Sequence, residues 1–120
     1  MSNLKIHSIG GKGDLANECV WLDVLEDIAS LSHYIVCDTT YSDATHISNE
    51  LRHMYWFKNK AVKKGDWIKL MTKSGTDTTA SNNRSTTTHI FYWKLGRTVW
   101  NKEGDAAVLF HINTWHTLRS

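Results

Sequence analysis

Apolar and polar residues alternate along most of this chain with a period of two, the pattern of strands that bury one face. Residues 4–9 alternate in this way and end at Gly10-Gly11-Lys12-Gly13-Asp14, which reads as a flexible bend. The stretch 18–25 reads as a second strand, with Val20, Leu22 and Val24 on one face. A third covers 34–38, with Tyr34 and Val36 turned inward, and an aromatic-rich fourth covers 52–57. After the turn Lys63-Lys64-Gly65-Asp66, residues 66–72 alternate again, with Ile68 and Leu70 inward. A short aromatic strand at 89–94 follows, and strands at 105–111 and 113–118 close the chain. Short strands at close spacing, separated by Gly, Asn and Asp turns, predict an all-β sandwich or barrel.

Two stretches depart from this pattern. Residues 15–31 are apolar enough for a helix, with Leu22, Leu25, Ile28 and Ala29 on one side. The β-branched Val20 and Val24 and the missing N-cap favour strand. In 74–88, eleven of fifteen residues are Ser, Thr or Asn, which predicts an exposed polar loop. Within it, Asn83-Arg84-Ser85 has the form of an N-glycosylation acceptor, a coincidence for a chain without a secretory leader.

A length of 120 residues suits one domain, 1–120, and the 41% of hydrophobic residues supply a core without metal or disulfide staples. No apolar run reaches a membrane span, so neither membrane insertion nor secretion is expected, and the location expected is cytoplasmic. The two cysteines, Cys19 and Cys37, read as free thiols of a reducing compartment. Proline is absent and six tryptophans are present, a composition that favours buried rings and contact surfaces over chemistry. The net charge of +2 hides an asymmetry: residues 1–50 carry −6 and 51–120 carry +8. Seven basic residues fall between 52 and 73 against Asp66 alone.

Three stretches of the second half, and two looser ones before them, are similar to the lamin tail domain, especially its prokaryotic branch. Lys64-Gly65-Asp66-Trp67-Ile68-Lys69-Leu70 resembles that family's turn and strand "PGE-x-V-x-L", and Ser74-Gly75-Thr76-Asp77-Thr78 its "SGTDT" segment. Tyr92-Trp93, Gly96, Val99-Trp100-Asn101, Gly104-Asp105, Ala107 and Leu109 follow its pattern "YWG…VWNN-GD-A-L". Earlier, 18–22 stands for "EYVEI" and 29–38 for "DLSGW-x-L-x-D", with Cys19 and His33 in place of an aromatic and a glycine. Lysines stand near 58 and 63 where the family has prolines. The resemblance implies an immunoglobulin-like β-sandwich of about seven to nine strands, used as a non-catalytic tethering and binding module. It makes Trp93, Gly96, Trp100, Gly104 and Asp105 structural residues. Gly96 and Gly104 suit turn positions with positive φ, and Asn101-Lys102-Glu103-Gly104 suits a hairpin turn. Trp93 and Trp100 flank the segment 95–99 and are expected to be buried at opposite ends of one turn.

No catalytic or metal site is evident. The seven histidines form neither His-x-His nor HExxH, no GxSxG elbow occurs, and Gly10, Gly11 and Gly13 complete no phosphate loop. The expectations are a non-enzyme with no cofactor, no metal and no small-molecule substrate. The candidate binding surface is the segment carrying Arg52, Tyr55, Trp56, Lys58, Lys60, Lys63 and Lys64. Its aromatics and cations suit base stacking with phosphate neutralisation. The competing reading sends the rings into the core and leaves the lysines to protect an edge strand. The function expected is protein contact, with an unidentified partner or by self-association. Nucleic-acid binding through 52–64 is the alternative, and sugar binding through exposed tryptophan a further one.

Overall fold

The computed structural model describes residues 2–100 and 104–120. Eight strands form among them: β1 (Leu4–Gly10), β2 (Cys19–Val24), β3 (Tyr34–Thr40), β4 (Met54–Trp56), β5 (Trp67–Met71), β6 (Thr78–Ser81), β7 (Thr87–Tyr92) and β8 (Asp105–His111). They build a β-sandwich of a five-stranded sheet, ordered β1-β2-β5-β7-β6, and a three-stranded sheet, ordered β4-β3-β8. All pairings are antiparallel except β5 with β7, which run parallel.

The period-two pattern places the core. Val20, Leu22 and Val24 of β2, Ile68 and Leu70 of β5, and Phe91 of β7 face Tyr34 and Val36 of β3 across the sandwich. Each is buried, as the alternation predicts, and each such side chain stabilises by about 1.5–3 kcal/mol relative to exposure. Trp93 and Trp100 are buried too, but they do not sit apart: their rings meet at a centroid distance of 6.2 Å and close one end of the core. Asp105 opens β8 opposite Thr40.

Residues 15–31 hold no α-helix, in line with the strand that the β-branched Val20 and Val24 favoured. They contribute β2, a single bridge from Ile28 to Val62, and a 3-10 turn at Leu31–His33 whose Ser30 hydroxyl caps the Ser32 N–H. Segment 74–88 is exposed along much of its length but is not a loop throughout, because Thr78–Ser81 pairs with β7 as the outermost strand of the large sheet. Residues 113–118 form no strand; the chain leaves β8 at His111 and runs on without a partner strand. Gly96 does not take positive φ. That conformation falls on Lys94 (φ 66°) and, in the predicted hairpin turn, on Gly104 (φ 91°). The rest of that turn, Asn101 to Glu103, lies outside the described residues.

The glycine bend after β1 is a tied turn. The Asp14 N–H donates to the Gly11 carbonyl, and the Asp14 carbonyl accepts from Asn17 and Glu18. Glu18, fully buried, then gathers four donors: the Thr72 hydroxyl (2.6 Å) and the backbone N–H groups of Val99 (2.8 Å), Trp100 (3.2 Å) and Gly13 (3.2 Å). One carboxylate thereby joins the turn after β1, the end of β5 and the Trp100 segment.

Candidate functional site

The basic aromatic segment does not form one face. Alternation along β4 splits it. Tyr55 points inward, edge-on to Phe57 (5.0 Å) and Trp93 (6.2 Å), and Phe57 is buried. Burial pushes the Tyr55 hydroxyl up to about 12, with the Asp77 carboxylate adding to it, so it stays neutral. Trp56 points the other way and is 45% exposed. The cations scatter. Lys58 pairs with Asp77 and Lys64 with Glu26 (3.5 Å). Lys60 lies 6.0 Å from the Phe91 ring centre, and Arg52 and Lys63 are exposed. A phosphate backbone needs several cations acting on one track. Here two of the five are neutralised by neighbours.

The same alternation builds a different surface. On the outer face of the small sheet the ladder sets Trp56 beside Ile35 and Ile35 beside Phe110. The next outward row is Met54, Cys37 and Val108. All six side chains are apolar, and none joins the core cluster between the sheets. Met54 is 56% exposed and Phe110 38%. Cys37 is buried on the floor of this face, and burial pushes its thiol up to about 11, with Asp38 adding to the rise, so it is no nucleophile at neutral pH. The long connection before β4 covers one end, where the Thr39 hydroxyl donates to the carbonyl of Ser48 or Glu50. The C-terminal segment covers the other, with Trp115 edge-on to Trp56 at 5.2 Å. The Trp56 indole N–H donates to the Ser32 carbonyl at 2.7 Å, which fixes the ring.

Sequence reasoning named Trp56 as a candidate binding residue of the basic segment but did not single out Met54, Ile35 or Phe110, because it read one face per strand. The signal was present: 34–37 and 106–110 are apolar at nearly every position, the pattern of strands covered on both faces. It also missed a buried histidine–carboxylate contact. His89 Nε2 lies 2.8 Å from Asp66, which accepts as well from the backbone N–H groups of Lys63 and Thr87. Burial raises the Asp66 carboxyl, but these hydrogen bonds outweigh it and hold it below the usual carboxylate range. The pair sits under the turn before β5 with no nucleophile in contact, so it reads as a structural clasp.

Among the described residues no group of three or more His, Cys, Asp or Glu could hold a metal ion, and no helix is long and apolar enough to cross a membrane. No family model matches the chain, and no curated protein matches it.

Proposed function

We propose that this chain is a non-catalytic interaction module that associates with a second copy of itself through the outer face of the small sheet. The observation that carries this reading is the apolar surface of Trp56, Ile35, Phe110, Met54 and Val108 above the buried Cys37, lying between the connection before β4 and the C-terminal segment. Single exposed apolar residues are ordinary, whereas contiguous ones mark contact surfaces. Two copies fit it well. Trp56 and Phe110 stand as ridges along the two edge strands, with the smaller Ile35 lower between them over β3. A ridge of one copy can pack between the ridges of another, and no charge lies in the patch to repel it. The resemblance to lamin tail domains supports the same class of function. The burial of Trp93 and Trp100, the two rings of its most diagnostic motif, agrees with it.

Sedimentation velocity from micromolar to several hundred micromolar protein tests this. The expected result is a monomer–dimer equilibrium that Trp56→Lys shifts fully to monomer while the variant still unfolds cooperatively. A wild-type chain that stays monomeric throughout, or a Trp56→Lys chain that still dimerises, overturns the reading.

A further inference from the structure

The opposite side of the molecule carries a second, chemically different surface. On the outer face of the large sheet, Trp21 of β2 and Trp67 of β5 meet edge to face at 5.9 Å. The bulge in β1 between Ile6 and Ser8 adds His7 to this face, edge-on to Trp67 at 4.9 Å. The β6–β7 turn rises beside them and closes a cleft of about 320 Å³. The rest of its lining is Ser8, Asn82, Asn83 and Thr88.

Three features point to a ligand. Neither indole N–H of the two tryptophans has a protein hydrogen-bond partner among the described residues, so both are free to donate to a ligand in the cleft. The Ser8 hydroxyl and the Asn83 amide are equally unengaged among the described residues. Meanwhile the turn that carries Asn83 is fixed, since the Asn82 amide donates to the Thr88 hydroxyl (3.1 Å) and its oxygen accepts from the backbone of Arg84 (2.9 Å) and Thr86 (3.2 Å). The cleft is therefore a rigid aromatic floor with hydroxyl and amide groups free to bond, the usual composition of a small-ligand site.

The lining chemistry selects the ligand. No Lys, Arg, Asp or Glu is among the lining residues, and the His7 ring is held by Asp23 at 3.2 Å. Two cations stand over the rings themselves: Arg84 over Trp67, 4.7 Å from its centre and 3.6 Å from Asp23, and Lys69 over Trp21 at 5.1 Å, so a ligand that stacks on either of those faces displaces a cation from it. A sugar ring offers a face of C–H groups that stacks on an aromatic ring. Its rim of hydroxyls each both donates and accepts, and serine, threonine and asparagine side chains can answer both roles. We infer that this cleft binds a neutral saccharide, one ring stacked on Trp67 or Trp21, with Asn83, Ser8 and the indole N–H groups bonding its hydroxyls. This site is independent of the dimer face.

Affinity electrophoresis through gels containing neutral polysaccharides (a cellulose derivative, xylan, glucomannan, a soluble starch), with a neutral-glycan array in parallel, tests it. Heparin and single-stranded DNA serve as anionic probes. The expected result is retardation by at least one neutral glycan, weakened tenfold or more by Trp67→Ala and at least threefold by Asn83→Ala. Trp56→Lys, on the other face, should change nothing. Because Trp67→Ala can disturb the sheet, Asn83→Ala, an exposed turn position, provides the fold-neutral readout. No binding to any neutral glycan, binding to the anionic probes alone, or binding that survives both cleft variants overturns the inference.

Discussion

Glu18 is the residue on which most of the polar accounting converges. Four donors from three segments share its carboxylate at full burial. Removing it strands at least two backbone N–H groups, each costing about 1–3 kcal/mol when unsatisfied. Glu18→Ala should therefore lose about 3 kcal/mol or more by urea denaturation, and Glu18→Gln, which keeps an acceptor, clearly less. Trp100→Ala in the same corner should cost about 3–5 kcal/mol, the range for truncating a buried aromatic; a loss under about 1 kcal/mol would contradict the packing. Asp66 adds a pH dependence of definite sign. Its folded pKa lies below the unfolded value near 3.9, so its contribution is complete above that value. It is lost as pH falls through the lower folded value. Between about pH 5 and 2 the wild type should lose more melting temperature than Asp66→Asn. Parallel curves would remove Asp66 from the acid limb.

Elements were legible where one face was buried. Residues 4–9, 18–25 and 66–72 alternate, and each became a strand within a residue or two of its expected bounds, as did 105–111, whose apolar run is nearly unbroken. Segment 78–81 was not legible, since Thr78, Thr79, Ala80 and Ser81 are all exposed and an edge strand with two wet faces has no apolar period. The opposite error arose at 113–118, where apolar residues suggested a strand but Trp115 packs on Trp56 and His33 as part of a covering tail. The candidate site divided in the same way. Its aromatics were found, but whether Tyr55 or Trp56 faced out depended on β4 pairing with β3, a contact that no local pattern encodes. Because β6 is a paired strand, replacing residues 78–87 with a short Gly-Ser link should cost about 1–3 kcal/mol while unfolding stays cooperative. No measurable loss would show that the edge pairing contributes nothing.

For the whole molecule, the scattered lysines and the net charge of +2 leave no broad positive field. Gel-shift titration near 150 mM salt should accordingly show no sub-micromolar binding of duplex DNA, and Lys63→Ala with Lys64→Ala should change nothing measurable. Tight binding abolished by that double variant would restore the basic segment as a nucleic-acid site. The parallel pairing of β5 with β7 bears on how the chain reaches this state. Parallel neighbours cannot close through a two-residue hairpin, so the centre of the large sheet forms only after the chain has doubled back through β6. The small sheet is as demanding, because Tyr34 must find His111. Folding therefore begins with loop closures across much of the chain, each an entropic cost incurred before its contacts form. Stopped-flow refolding should run in milliseconds to seconds. With no proline in the chain, it should lack the tens-of-seconds phase that prolyl isomerisation imposes on many sandwiches.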